Sequence, residues 1–225
     1  MKRQTGIGIF AALALGTATA ASAQSDPRLN SYNWKYDNRL SVPAKVYLYF
    51  PTKCFPAISR AFSTYNAARS RLVFTYSGGT TDQVGQGTSN NSDLIIATGA
   101  LTDPTALAEA PPQRSSRSTS WSYGPGFLVS DVDIIFNANK MFYQPSSTNS
   151  VGDFFCPSAS GQTTENGKAD FETTLLHEIT HANGLAHFSQ YGCVMYAPQF
   201  TGQTGQQRTY CSAERTLLQQ QYGTR

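Results

Sequence analysis

Asp170-Phe171-Glu172-Thr173-Thr174-Leu175-Leu176-His177-Glu178-Ile179-Thr180-His181-Ala182-Asn183-Gly184-Leu185-Ala186-His187 is the stretch on which the reading of this chain turns. A helix advances about 100° per residue, so Phe171, Leu175, Ile179 and Ala182 gather within about 80° and form an apolar stripe. His177 and His181 stand four residues apart and stack on one face, away from that stripe. Two imidazoles so placed can reach one metal ion, while Glu178 projects beside them without being in line as a ligand. Gly184 falls where the helix should stop, because glycine takes the left-handed terminal conformation without a Cβ penalty. The reversal brings His187 toward the same point. Three neutral imidazoles leave Zn²⁺ a fourth position for water, the arrangement of a catalytic rather than a structural site. Glu178 is placed to act as general base on that water. The chain has 3 histidines, and all of them lie in this string, so none is left for another role.

Outside this helix the chain is poor in charge. Charged residues make up 14%, the formal net charge is +3, and the length is 225 residues. Lys2 and Arg3, the apolar run from Ile7 to about Leu15, and Ala21-Ser22-Ala23 read as an export signal over 1–23. The apolar run is shorter than the ~20 residues a bilayer span requires, and no later segment is apolar enough either. Without Lys2 and Arg3 the balance is 15 basic against 14 acidic residues. Such near-neutrality speaks against a nucleic-acid partner, which selects for a basic stripe.

Four cysteines remain, Cys54, Cys156, Cys193 and Cys211, an even number that in an exported chain points to two disulfides. Cys193–Cys211 with Cys54–Cys156 is the preferred pairing, since the first closes a short loop. A four-thiolate zinc site lacks the close C-x2-C spacing it would need.

The rest organises around one domain, with 24–42 an irregular lead-in and 43–225 the folded unit. Val46–Phe50 reads as a strand stopped by Pro51, and 56–69 as a helix with Ile58, Phe62 and Tyr65 inward. Leu72–Tyr76 reads as a strand ended by Gly78-Gly79, Leu94–Ala97 as a third, and 99–114, with Pro104, Pro111 and Pro112, as loop. Ser115–Tyr123 reads as an exposed edge strand, Phe127–Phe136 as a fifth strand, and Ser212–Tyr222 as a final helix packed on the core. The fold class is α+β, a mixed sheet with helices against it.

The string His177-Glu178-x-x-His181-x-x-Gly184-x-x-His187 resembles the zinc signature of the metzincin metalloproteases, and Met195 in Cys193-Val194-Met195-Tyr196 resembles their methionine turn. Met195 follows His187 by eight residues, an interval most similar to the matrixin branch. Ala61-Phe62 with Tyr65-Asn66, Ser92–Ile96 and Asp131–Asn137 resemble further matrixin elements less sharply. The resemblance implies a twisted five-stranded mixed sheet, two long helices (the active-site helix at about 168–184) and a small C-terminal subdomain. It implies His177, His181 and His187 as zinc ligands, Glu178 as the catalytic base, and peptide-bond hydrolysis. The protein or peptide substrate is expected to lie extended along the edge strand near Ser115–Tyr123.

The chain also departs from the matrixin pattern. Phe188 stands where matrixins usually carry serine. Met195-Tyr196-Ala197-Pro198 interrupts their Met-Tyr-Pro, which would shift Pro198 and Phe200 in the specificity pocket. No cysteine precedes Cys54 to serve as a latency switch. Asp82, Asp93, Asp131, Asp133 and Asp153 read first as turn and surface residues, with a Ca²⁺ site as the lesser alternative. Asn90-Asn91-Ser92 is a sequon with meaning only in a eukaryotic secretory pathway. The expectation is a secreted, monomeric zinc endopeptidase. The alternatives are a catalytically silent zinc-binding or adhesive protein on the same scaffold, and a peptidase restricted to cell-wall peptides.

Overall fold

The computed structural model describes residues 32–34, 41–81, 94–121, 124–141, 154–196, 201–202 and 206–225. The segments expected to be an export signal and most of the lead-in lie outside these, as do the sequon, Asp82, Asp93, Asp153, Pro198 and Phe200. Of 112–121 and 124–131 only the backbone is described, which includes Asp131.

One mixed sheet carries the fold. β1 (Tyr32–Trp34), β2 (Ser41–Tyr47), β3 (Val73–Thr80), β4 (Leu94–Gly99) and β7 (Gly124–Asn137) run in the spatial order β1-β7-β4-β2-β3 with every contact parallel. β5 (Ala108–Glu109) and β6 (Pro112–Trp121) pair antiparallel with β7 along its other flank. β2, β3, β4, β6 and β7 answer to the five expected strands, β6 being the expected edge strand, while β1, inside the expected irregular lead-in, and β5 are additions. α1 (Phe55–Ala67) and α3 (Phe171–Ala182) pack on each other, α1 also on β3 and α3 on β7 and β5. The remaining elements are short α2 (Ala138–Met141), the pair β8 (Phe154–Phe155) and β9 (Ala169–Asp170), and α4 (Ser212–Tyr222).

Several boundaries differ from the sequence reading. β2 starts at Ser41 and stops at Tyr47, so the lead-in is not wholly irregular. Val42, Ala44 and Val46 face inward while Pro43 and Lys45 face out, a period-two pattern that the proline obscures. Pro43 is tolerated because it precedes the β4 pairing, which begins at Ala44. β3 runs through Gly78-Gly79 instead of ending there. Gly79 pairs with Val46, and a Cβ on it would stand 2.7 Å from Leu48 Cδ2, so the glycine admits a packed neighbour. The segment 99–114 is not all loop, since it holds the last residue of β4, all of β5 and the start of β6.

The core is one cluster. Phe136 and Phe171 stack with ring centroids 4.7 Å apart, and Phe50 and Phe154 pack around them. Each such buried ring contributes about 1.5–3 kcal/mol relative to exposure, and together they seat the first turn of α3 on the sheet. That helix is buried on nearly every side, Thr173, Thr174, Leu176 and Thr180 included, rather than along one stripe. Both disulfides form as preferred, Cys54–Cys156 and Cys193–Cys211, and no described cysteine is free.

Candidate metal centre

α3 is fixed at both ends before it presents any chemistry. At its start the Asp170 carboxylate accepts from the Thr173 backbone N–H at 2.8 Å and from the Thr173 hydroxyl at 2.7 Å, a helix N-cap. Arg208 closes on the same carboxylate, donating from Nε at 3.0 Å, and Thr164 Oγ1 donates to it at 2.6 Å. Asp170 is fully buried, so these partners are what allow its charge there. At the other end Gly184 takes φ 87°. The Gly184 N–H reaches His181 O at 2.8 Å and the Leu185 N–H reaches Thr180 O at 3.3 Å, the two bonds of a Schellman stop.

That stop aims the second histidine. The Leu185 carbonyl, freed by the turn, accepts from His181 Nδ1–H at 2.8 Å. The Val194 carbonyl accepts from His177 Nδ1–H at 2.7 Å. With Nδ1 occupied in both rings, each Nε2 keeps its lone pair for a metal. His187 arrives on the strand-like return after Gly184, where Phe188 N–H bonds Met195 O at 2.7 Å, and Phe188 also bridges Tyr196. His181 Nε2 and His187 Nε2 come to 3.1 Å. Ligand atoms of His177, His181 and His187 all lie within 4.8 Å of one another. A tetrahedral zinc with Zn–N near 2.0–2.1 Å holds two nitrogens roughly 3.3–3.4 Å apart, so the His181–His187 pair stands close to that spacing and the His177 nitrogen lies within reach of both.

Electrostatics agree with this donor set. Burial lowers His177 well below the usual imidazole range, takes His181 to about 4, and lowers the more exposed His187 as well. All three rings are therefore neutral at pH 7, as metal ligation requires. Glu178 is buried beside them, and burial, with the like charge of Glu109 second, raises its carboxyl to about 8.

A groove of about 680 Å³ runs past these groups, lined on one side by His177, Glu178, His181 and His187. Its other wall is the stretch from Thr105 to Pro111, with Asp103 at one end. Among the residues whose side chains are described, the flank of the sheet that lines this groove is 105–111. The side chains of the expected Ser115–Tyr123 lie outside the described residues. Asn137 N–H bonds Leu107 O at 3.0 Å, and ladder alternation then turns the main-chain groups of Ala108 away from β7.

Glu109, Asp103 and Glu214 were not singled out by sequence. Glu109 accepts from the backbone N–H of Asp103 at 2.8 Å and of Thr102 at 3.1 Å, which closes the loop before β5. Nothing local in a proline-rich stretch marks such a role. Glu214 had a legible signal, because Cys211-x-x-Glu214 opens α4 as a capping box. Met195 is fully buried in the core beneath this centre. Among the described residues the other metal-like group, Cys193, Cys211 and Glu214, has its sulfurs committed to a disulfide. No described cluster of carboxylates supports calcium, and Asp133 is buried inside β7.

No family model matches the sequence, and no curated protein is similar to it. Among solved structures the chain is similar to high choriolytic enzyme 1, a hatching-enzyme zinc protease of the medaka fish Oryzias latipes. The TM-score is 0.43 at 11% identity, over 86% of this chain and 95% of that one. So distant a likeness leaves the case to the residues themselves.

Proposed function

We propose that this chain is a secreted zinc endopeptidase of the metzincin kind, with His177, His181 and His187 as ligands and Glu178 as general base. The observation that carries the reading is the convergence of three neutral imidazoles with a buried carboxylate at the floor of one open groove. Zinc held there supplies Lewis acidity toward a water molecule and a substrate carbonyl. Glu178 takes the proton of the attacking water and delivers it to the leaving amine. The groove wall at Ala108 offers main-chain groups to an extended peptide, which would add a strand antiparallel to the sheet flank. The eight-residue interval from His187 to Met195 favours the matrixin-like branch, and the two disulfides favour an oxidising, extracellular setting. No described helix is long and apolar enough to cross a membrane.

A silent zinc-binding or adhesive protein would need no buried carboxylate next to its ligands, and Glu178 therefore favours catalysis. Cleavage of denatured casein by the protein lacking 1–23 is the test. A chelator should abolish it. Glu178→Ala should retain one zinc and lose about 10²–10⁴-fold in rate, the usual share of a general base. A wild type that binds one zinc but cleaves no protein or peptide library, cell-wall peptides included, sinks the peptidase reading.

A further inference from the structure

The carbonyl that aims His177 belongs to the Val194–Met195 peptide, and the other end of that peptide is also held. Met195 N–H donates to Glu214 Oε1 at 2.6 Å. Glu214 is fully buried, and its second oxygen accepts from Cys211 N–H at 2.9 Å, with Val194 N–H a further donor to the carboxylate. A trans peptide is planar, with N–H and C=O pointing in opposite directions. Anchoring the Met195 N–H on one side therefore fixes the direction of the Val194 oxygen on the other, 2.7 Å from His177 Nδ1. The negative charge also polarises the peptide, which makes its oxygen a stronger acceptor. The Cys193–Cys211 disulfide joins the same two segments, so the carboxylate is held by a covalent tie as well as by the first turn of α4.

From this geometry we infer that Glu214 is a positioning residue for the metal centre, acting on His177 through the Val194–Met195 peptide. A carboxylate bonded directly to a ligating histidine fixes its tautomer and raises its basicity. Here one peptide unit stands between carboxylate and ring and transmits both effects. The inference rests on the metal-binding half of the proposed function and is independent of whether peptides are cleaved. A purely structural Glu214 would staple α4 to the loop without altering how His177 binds metal.

The test measures zinc affinity of the full folded chain by competition with a chromophoric chelator, together with the His177 Nδ1–H proton resonance of the zinc-loaded protein. Glu214→Ala should weaken zinc binding about 10- to 100-fold, the range for loss of a group that orients a ligand. Glu214→Gln, which keeps one oxygen for the Met195 N–H but no charge, should fall between it and wild type, and its His177 resonance should move upfield. Leu218→Ala, a cavity in the same helix, should lower the melting temperature while leaving zinc affinity within about twofold. Should Glu214→Ala not fold, the glutamine variant carries the comparison. Zinc affinity and a His177 resonance in Glu214→Gln no different from those of Leu218→Ala overturn the inference. A wild type that binds zinc yet cleaves nothing removes the peptidase reading and leaves this one standing. A wild type that binds no zinc removes both.

Discussion

At the scale of single residues, the site depends on groups that are not themselves ligands. Gly184 is one. Its φ of 87° lies where an L side chain costs about 1–2 kcal/mol, and its turn is what turns the Leu185 carbonyl toward His181. Gly184→Ala should therefore lower stability by about that amount and weaken zinc binding as well, measured by urea unfolding and chelator competition. A variant that loses stability yet keeps zinc affinity unchanged would separate the turn from the ligand. Glu214 supplies a pH dependence with a definite sign. Burial raises its carboxyl above the usual 4.5, against the pull of its backbone N–H donors. The folded state then binds more protons than the unfolded one across the window from 4.5 up to the raised value, so stability falls as pH rises through it. Glu214→Gln has no such titration. In metal-free protein the stability advantage of wild type over this variant should be largest below about pH 4 and narrow above it. An advantage that widens with pH would mean that the hydrogen bonds outweigh burial.

At the scale of elements, α3 is a buried rod pinned at its two ends, of which the sequence reading marked only the stop, at Gly184. That stop follows from a rule confined to one turn, and the start, capped by Asp170, falls three residues after the expected 168. The flank of the sheet was not legible in the same way. β5 is two residues long and exists only because Ile135 and Phe136 lie opposite it, so no local period betrays it. The start of β2 was hidden by a proline whose tolerance depends on where β4 begins. Asp170→Ala tests the first pin. It removes the cap and leaves Arg208, whose side chain is only 10% exposed, without its main counter-charge. Breaking such a buried pair costs about 3–5 kcal/mol, which thermal unfolding would register as a large fall in melting temperature. A loss below about 1 kcal/mol, the worth of a cap alone, would show that Arg208 finds adequate compensation in Gln162 and Glu172.

At the scale of the whole molecule, the three histidines and Glu178 were readable as one group because one turn-and-a-half of helix and a short return bring them together. The groove wall, Glu109 and the tie from Glu214 to the peptide behind His177 were not, because these groups lie far from the histidines in sequence and meet them through pairings that only the fold sets. The two disulfides divide along the same line. Cys54–Cys156 spans 102 residues and ties the start of α1 to the segment whose Pro157 carbonyl holds Arg60. Cys193–Cys211 spans 18 and closes the loop that carries the Val194 carbonyl. Loop entropy assigns about 4.7 kcal/mol to a bridge of the longer span and about 3 to one of the shorter. Replacing Cys54 and Cys156 together by alanine should therefore cost the more global stability, with zinc affinity of the folded fraction close to wild type. Replacing Cys193 and Cys211 together should cost less stability and more zinc affinity, because the carbonyl behind His177 loses its covalent tie. Urea unfolding of metal-free protein and chelator competition on the same samples read the two quantities separately. If zinc affinity follows stability in both pairs, the short disulfide is a general brace and the loop beneath His177 does not tune the metal centre.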